Sequence, residues 1–591
     1  MRKEWEDVKT TLTQPDQITA TEEALVGDRP IRVFSNAPSS LRAVFSMGAM
    51  LHSDKVALVC DGKSHSYNDM DRATVQLANG FVSQGAVKRG DRIALCLRNC
   101  PEWIFGFWAT VCVGGVAVAV NSTLHPSEMA FCLTDSDPTV VIVDAERATQ
   151  LASFISKSEH ILWIVTAKDD WIVDFTQQYL NSSKTKLVPY AGFVNANSAR
   201  DELPSVEVGP DDDATILYTS GTTGKPKGVL TTHRSYTNAL FGIIYVVTFY
   251  QSISEDPNNP PEVTESVTLH VAPFFHTMGL VQLPVYMLTG AKTVLLPKWN
   301  PVSALKLIEK ERVTSVVAVP TMFSQMLAHP VLKKYDISSL QRTMTGAAPT
   351  STQLLKDINS NFKAVHVNGY GLTETTSTGT TCAQPIIGMK PTSVGIPSAV
   401  TDIMIVESSL TGDGLDLTKD AFIPVKNVGR VGEIAIRGPS VFKGYWKNAE
   451  SSAKVLTKDG WFVTGDVGRL DEDGCLYIMD RAKDMLIRGG ENVFCAEVES
   501  AVCQHPQVLE CAVIGVPHAT LGETVCAVVV LKDSATKVSA AQLISHCKKH
   551  LALYKCPSQI EFWDGSELPK NAAGKVLKKT LKAKYVVSSK L

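Results

Sequence analysis

The stretch YTSGTTGKPKG, Tyr218 to Gly228, decides how the chain is read. Three glycines, four Ser/Thr hydroxyls and two lysines occupy its eleven positions, directly after the apolar run Ala214-Thr-Ile-Leu217. That density of backbone N–H and hydroxyl donors suits an anion with several oxygens. A Walker loop needs four residues between its glycines, then Lys, then Ser or Thr opening a helix. Here Gly224-Lys225 runs into Pro226, so the Walker reading fails. What remains is a strand-to-helix loop, Thr219, Ser220, Gly221, Thr222, Thr223 and Gly224, able to wrap a polyphosphate. Lys227 adds charge, Pro226 fixes the turn, and a helix is expected from about His233.

The rest of the chain sets limits. Its 591 residues exceed one ordinary core, so two or more domains are expected. With 44% hydrophobic and 20% charged residues and a net charge of −3, the composition is globular and gives no electrostatic reason to bind nucleic acid. The polar start MRKEWEDVKTTL does not read as a secretory signal. Phe105 to Val120 is the most apolar run, but it is short for a span and broken by Gly114-Gly115. It is expected as a buried helix entering a strand, and no transmembrane segment is expected. Thirteen cysteines without a framework read as free thiols, and Cys96 with Cys100 lacks the second pair of a metal site. Strand-like runs at Arg92–Cys96, Thr139–Val143 and His160–Val165 alternate with helical patterns, which predicts α/β architecture with largely parallel sheets. Gln251–Ser266 and Ser408–Asn427 read as loop insertions. Beyond residue 480 or so the pattern changes to a compact α+β unit of roughly a hundred residues. The final Ser589-Lys590-Leu591 matches the peroxisomal import signal, which implies an import receptor as partner and the peroxisomal matrix as location.

Further motifs stand in a recurring order: Phe274-Phe-His276, Gly346-Ala-Ala-Pro349, Asn368-Gly-Tyr-Gly-Leu-Thr-Glu374, Gly465-Asp466, Asp480-Arg-Ala-Lys-Asp484, Gly489-Gly490 and Pro569-Lys-Asn-Ala-Ala-Gly-Lys575. Each alone would be a turn, a core histidine or a solvated charged loop. Together with the opening stretch they resemble the adenylate-forming superfamily of acyl-CoA synthetases, coumarate-CoA ligases, firefly luciferase and peptide-synthetase adenylation domains, from about residue 50 to 580. The resemblance implies a large N-terminal domain (1–480) of stacked α/β sheets with a small β-barrel, a hinge (481–484) at Lys483, and a mobile α+β C-terminal domain (485–591).

The resemblance also implies roles. Tyr370 stacks on adenine in a pocket shared with Asn368 and Gly369, and Gly346, Ala347 and Ala348 line the other face. Thr373 contacts the α-phosphate, and Glu374 holds Mg²⁺ against phosphate oxygens. Asp466 and Arg481 hold the ribose. Lys575 bridges the attacking carboxylate and the α-phosphate as a localised charge. His276 sits at the mouth of an acyl pocket for which Phe275 and Phe323, with Leu280, Met322 and Met326, are candidates. Gly489 and Gly490 suit a narrow tunnel for the thiol of coenzyme A. Where several plant ligases carry Lys, this chain has Ile487. Lys578, Lys579, Lys582 and Lys584 read as a solvated basic face.

The implied activity is an acid–thiol ligase: carboxylate plus ATP gives acyl-AMP and pyrophosphate, and coenzyme A then displaces AMP. The acid expected is aliphatic or polyketide-derived, in peroxisomal, including secondary or toxin, metabolism. A coumarate-type aromatic ligase, a stand-alone enzyme loading a carrier protein, a luciferase-like oxidase and a non-catalytic nucleotide-binding module are the alternatives. AMP release with and without coenzyme A separates them.

Overall fold

The structure is a computed structural model that describes residues 2–180, 184–219, 226–254, 265–346, 348, 350–408, 414–532, 538–565, 567–570 and 575–588. The import tripeptide, Ser220 to Gly224 and Ala347 lie outside the described residues.

Two large sheets carry the N-terminal part. One has eight strands in the order Gly444–Tyr445, Lys227–Thr232, Asp213–Thr219, Val116–Ala119, Arg92–Cys96, Val140–Asp144, Leu162–Thr166 and Lys186–Pro189. Its last six strands run parallel, joined by helices such as Pro101–Cys112. The other has nine strands, with a parallel centre of Val267–His270, Ser315–Ala318, Arg342–Thr345 and Val365–Tyr370. Strand residues are apolar on both faces, as parallel strands covered on each side require. In Arg92–Cys96, Ile93 and Leu95 join the central cluster with Leu58 and Trp103, while Ala94 and Cys96 face the cluster of Trp163. The run Phe105–Val120 is the expected buried helix passing into the strand Val116–Ala119. No helix among the described residues is long and apolar enough to cross a membrane. All thirteen cysteines are free.

In place of the small barrel expected in this domain, the structure has a four-stranded antiparallel sheet, Asp402–Val406, Gly432–Arg437, Phe462–Leu470 and Leu476–Arg481. Among the described residues its ladder ends at the outer strands without a closing pair. The chain after Asp484 builds a smaller mixed sheet around the long hairpin Val508–His518 and Gly522–Leu531, covered by Cys495–Cys503 and Ala540–Cys547. The result is a mixed α/β fold with a large multi-sheet N-terminal domain and a smaller C-terminal domain.

Two local expectations change. The opening loop does not pass directly from strand to helix. It joins two antiparallel strands, Thr219 pairing with Lys227, and the helix His233–Ser252 starts only after the return strand. Thr232 caps that helix by accepting from the Ser235 N–H. Lys578 is not solvated: its Nζ lies 2.7 Å from Glu499 Oε1 with both side chains about four-fifths covered, at 19% and 21% exposure.

Candidate active site

The parallel strands Arg342–Thr345 and Val365–Tyr370 are neighbours, with Thr345 opposite Asn368, so Gly346 and Gly369-Tyr370 emerge together at their carboxyl ends. That edge is where open α/β sheets bind ligands. The Gly369 carbonyl oxygen lies 3.6 Å from where a Cβ on Gly346 would stand, and Met278 Sδ 3.3 Å from it. Met344 Cε lies 3.3 Å from the corresponding point on Gly369. Two bare glycine surfaces are thus faced by two thioethers. Asn368 is buried, and Thr345 Oγ1 approaches its Oδ1 at 3.5 Å.

From Gly371 the chain turns sharply, because a Cβ there would fall 2.3 Å from the Ser377 carbonyl oxygen. The turn folds Thr373–Thr375 into one 3₁₀ turn and brings Glu374 back. Its backbone oxygen accepts from the Phe442 N–H at 2.8 Å, and Oε1 accepts from the Tyr445 hydroxyl at 3.0 Å. Lys227 Nζ lies 5.0 Å from the centre of the Tyr445 ring, which links the opening hairpin to Glu374. Loss of water raises the Glu374 carboxyl above the ordinary glutamate range, an arrangement that a cation would reverse.

Asp466, 4% exposed, is the hub of a buried polar cluster. Its Oδ2 accepts from the Tyr370 hydroxyl at 2.8 Å, and Arg481 Nε lies 3.1 Å from Oδ1. Gly465 precedes it with φ +74, a conformation glycine adopts freely. Beneath that turn Glu433, 1% exposed, accepts the Gly465 N–H at 3.0 Å and the Leu415 N–H at 2.8 Å. Burial, chiefly, pushes its carboxyl up to about 7. Lys575 reaches the same region from the far end of the chain. Its ammonium is depressed to about 8, first by burial and then by the Arg481 guanidinium, while Asp466 and Asp484 oppose the shift. The structure therefore brings Tyr370, Glu374, Asp466, Arg481 and Lys575 into one electrostatic neighbourhood.

Other expected residues fall elsewhere. His276 is a largely buried ring beside Phe275, its Nε2 unpartnered and its imidazole held neutral by desolvation, down to about 4. Phe323 is no neighbour of that ring: it is fully buried in a separate cluster with Met326, against Phe362 at 6.0 Å. Helix packing, not pocket lining, explains it. Gly489 and Gly490 form the turn between Leu486–Arg488 and Glu491–Val493 with φ +61 and +88. Glycine suits this two-residue hairpin; the Cβ position on Gly489 would lie 3.2 Å from Leu521 Cδ2, and that on Gly490 meets nothing within 4 Å. Lys483 lies in the 3₁₀ turn Ala482–Asp484 between the four-stranded sheet and the C-terminal sheet. Tyr445, Glu433, Met278 and Met344 were not singled out in the sequence. No sequence signal announced them; Tyr445 lies in the strand that borders the Lys227–Thr232 strand.

Comparison with known proteins gives the family. The AMP-binding enzyme family matches residues 45–446, and the AMP-binding enzyme C-terminal domain matches 497–575. The chain belongs to the AMP-binding enzyme family. It is 32% identical over 562 residues to a long-chain-fatty-acid–CoA ligase of Bacillus subtilis, covering 92% of this chain and 94% of that protein. A feruloyl-CoA synthase of an Amycolatopsis species is 34% identical over 526 residues, covering 89% and 94%. The crystal structure of the anthranilate CoA ligase AuaEII with anthranoyl-AMP superposes with a TM-score of 0.79 at 25% identity, covering 94% of this chain and 99% of that one. The chain is an ATP-dependent, AMP-forming acyl-CoA ligase.

Proposed function

We propose that the enzyme activates an apolar aliphatic or polyketide-derived carboxylic acid, with each half-reaction assigned to named residues. The observation that carries the assignment is the convergence on Asp466: Tyr370 and Arg481 bind its two oxygens, and Lys575 lies within its field. Asp466 and Arg481 hold the ribose, Tyr370 packs on adenine, and the Ser220–Gly224 loop with Thr219 and Lys227 receives the phosphates. Among the described residues no three His, Cys, Asp or Glu side chains converge as a metal site. Mg²⁺ would therefore be held by Glu374 with nucleotide oxygens, the mode this ion prefers, and would supply charge neutralisation at the phosphates. Lys575 then steadies the carboxylate oxygen and the α-phosphate as they approach, two anions whose repulsion a buried ammonium offsets. Pyrophosphate leaves, and coenzyme A displaces AMP after the C-terminal domain turns about Lys483.

The likeness to a long-chain-fatty-acid–CoA ligase supports the apolar acid. The likeness to a feruloyl-CoA synthase favours a second reading, an aromatic acid. A panel of dodecanoate, palmitate and ferulate, scored by AMP release with and without coenzyme A, decides between them. Release that is indifferent to coenzyme A with every acid would overturn the thioester reading. Peroxisomal location rests on Ser589-Lys590-Leu591 alone. Deleting the tripeptide should move an N-terminally tagged protein to the cytosol without changing purified activity.

A further inference from the structure

A polar chain outside the nucleotide site connects the two domains next to Lys575. The Trp299 indole N–H donates to Gln325 Oε1 at 2.5 Å, and Gln325 Nε2 donates to Glu567 Oε1. Trp299 and Gln325 belong to the nine-stranded-sheet region, Gln325 on the helix Pro320–Ala328. Glu567 belongs to the segment that leads to the Lys575 loop. Its Oε2 lies 3.8 Å from Lys570 Nζ, which sits 3.0 Å from Glu510 Oε1 on the long C-terminal hairpin. Lys570 and Val576 form an antiparallel bridge, and Leu577 N donates to the Pro569 oxygen at 2.8 Å. These two contacts close the base of the loop that presents Lys575.

The chemistry makes the Gln325 amide directional. Its oxygen takes a donor that can only donate, the indole N–H, and its nitrogen faces a carboxylate that accepts. Neither neighbour tolerates the reversed amide. Lys570 and Glu510 are 12% and 17% exposed, so the C-terminal end of the chain is firmly held, whereas Glu567 is half-exposed and can let go. We propose that Gln325 is a positioning residue. Its bond to Glu567 holds Lys570, and with it Lys575, beside Arg481 and Asp466 during acid activation, and is released when the C-terminal domain turns to admit the thiol. This rests on the assignment of Lys575 to the first half-reaction.

The test uses Gln325→Glu, which sets two carboxylates against each other, and a double variant that adds Glu567→Gln. The double variant restores the bond with reversed roles, since the carboxylate introduced on the helix accepts from both the indole and the new amide. Acid-dependent pyrophosphate exchange with dodecanoate and ferulate reads the first step. Thioester formation from supplied dodecanoyl-AMP or feruloyl-AMP reads the second. Gln325→Glu should lower exchange about tenfold, the loss of roughly one charged hydrogen bond, and leave the second step unchanged or faster. The double variant should recover exchange. Amide hydrogen exchange of residues 320–328 and 567–577 in unliganded full-length protein, which needs no substrate, should rise in the single variant and return in the double. Equal loss of both steps, no change in either segment's amide exchange, or no recovery in the double variant would overturn the proposal. Lys575→Ala is run alongside. If it keeps pyrophosphate exchange, the failure lies in the Lys575 assignment and the fastening role falls with it. If it abolishes exchange while Gln325→Glu is silent, the fastening role alone is wrong.

Discussion

Lys575 offers the sharpest test of the charge argument. An ordinary lysine ammonium titrates near 10.5, but here burial and Arg481 lower it to about 8. At about 1.4 kcal/mol per unit, the protein opposes the charged form by roughly 3 kcal/mol. The proposed role in the first step uses the charged form. Acid-dependent pyrophosphate exchange should therefore lose kcat/KM for ATP on the alkaline side with an apparent value near 8, because kcat/KM reports the free enzyme. Bound nucleotide changes the balance. A phosphate charge about 6 Å away in an effective dielectric of about 20 favours the ammonium by about 3 kcal/mol, or about two units. The alkaline limb of kcat should accordingly lie about two units above that of kcat/KM. Lys575→Arg supplies the control, since guanidinium does not titrate in this range. Its residual exchange should show no limb near 8, however slow it is. A limb at about 8 that survives in Lys575→Arg, or identical limbs in kcat and kcat/KM, would refute the assignment of the proton to this lysine.

Stability should carry the same signature. Lys575 has a folded value below its unfolded one, so the unfolded chain binds more protons between about pH 8 and 10.5, and stability rises with pH across that window. Lys575→Met should raise the thermal midpoint at about pH 7 and lose the advantage by pH 10.5. Glu433 is the opposite case: its folded value of about 7 exceeds the ordinary 4.5, so its contribution is present below 4.5 and lost as pH rises to about 7. Glu433→Gln should flatten that slope in thermal melts while raising KM for ATP, because one amide oxygen cannot serve both the Gly465 and Leu415 N–H groups. Tyr445→Phe removes the hydroxyl donor from Glu374 and should slow pyrophosphate exchange about tenfold and raise the Mg²⁺ concentration for half-maximal rate, in a titration at fixed ATP. Gly371→Ala puts a Cβ 2.3 Å from a backbone oxygen that no rotamer can move, so a loss of roughly 1–3 kcal/mol in urea unfolding, with weaker AMP binding, is expected.

The sequence carried the site unevenly, for physical reasons. Parallel strands were legible because their apolar runs are continuous, and the helix start at His233 because Thr232 is a good cap. Asp466 and Tyr370 were reachable through short motifs whose backbone geometry depends on glycine at fixed offsets. The return strand Lys227–Thr232 was hidden, since six residues between a proline turn and a helix cap carry little periodicity. Lys578 was misread because its partner, Glu499, lies on another helix and nothing local announces it. Phe323 shows the converse failure: an apolar residue on an amphipathic helix reads the same whether it lines a pocket or fills a core. Glu433 was silent because a buried carboxylate in GEIAIR reads like an exposed one until its two backbone donors are known.

The charges around Asp466 suit the anion that the proposed function brings to them. Arg481 is satisfied by Asp466, and its pKa rises for that reason. Lys575 is brought into the same field at the expense of its own charge, pushed down by burial and by the guanidinium that Asp466 has only partly neutralised. Glu374, one segment away, is also pushed toward its neutral form by desolvation. One cation and one anion are therefore each pushed toward the neutral form in a partly buried site. On the proposed assignment a magnesium–polyphosphate would relieve both at once, the ion held by Glu374 and the phosphates facing Lys575. Neither free phosphate nor a bare cation would do so. On that assignment, the preference for a nucleoside triphosphate with its metal would rest on these two protonation equilibria at Lys575 and Glu374.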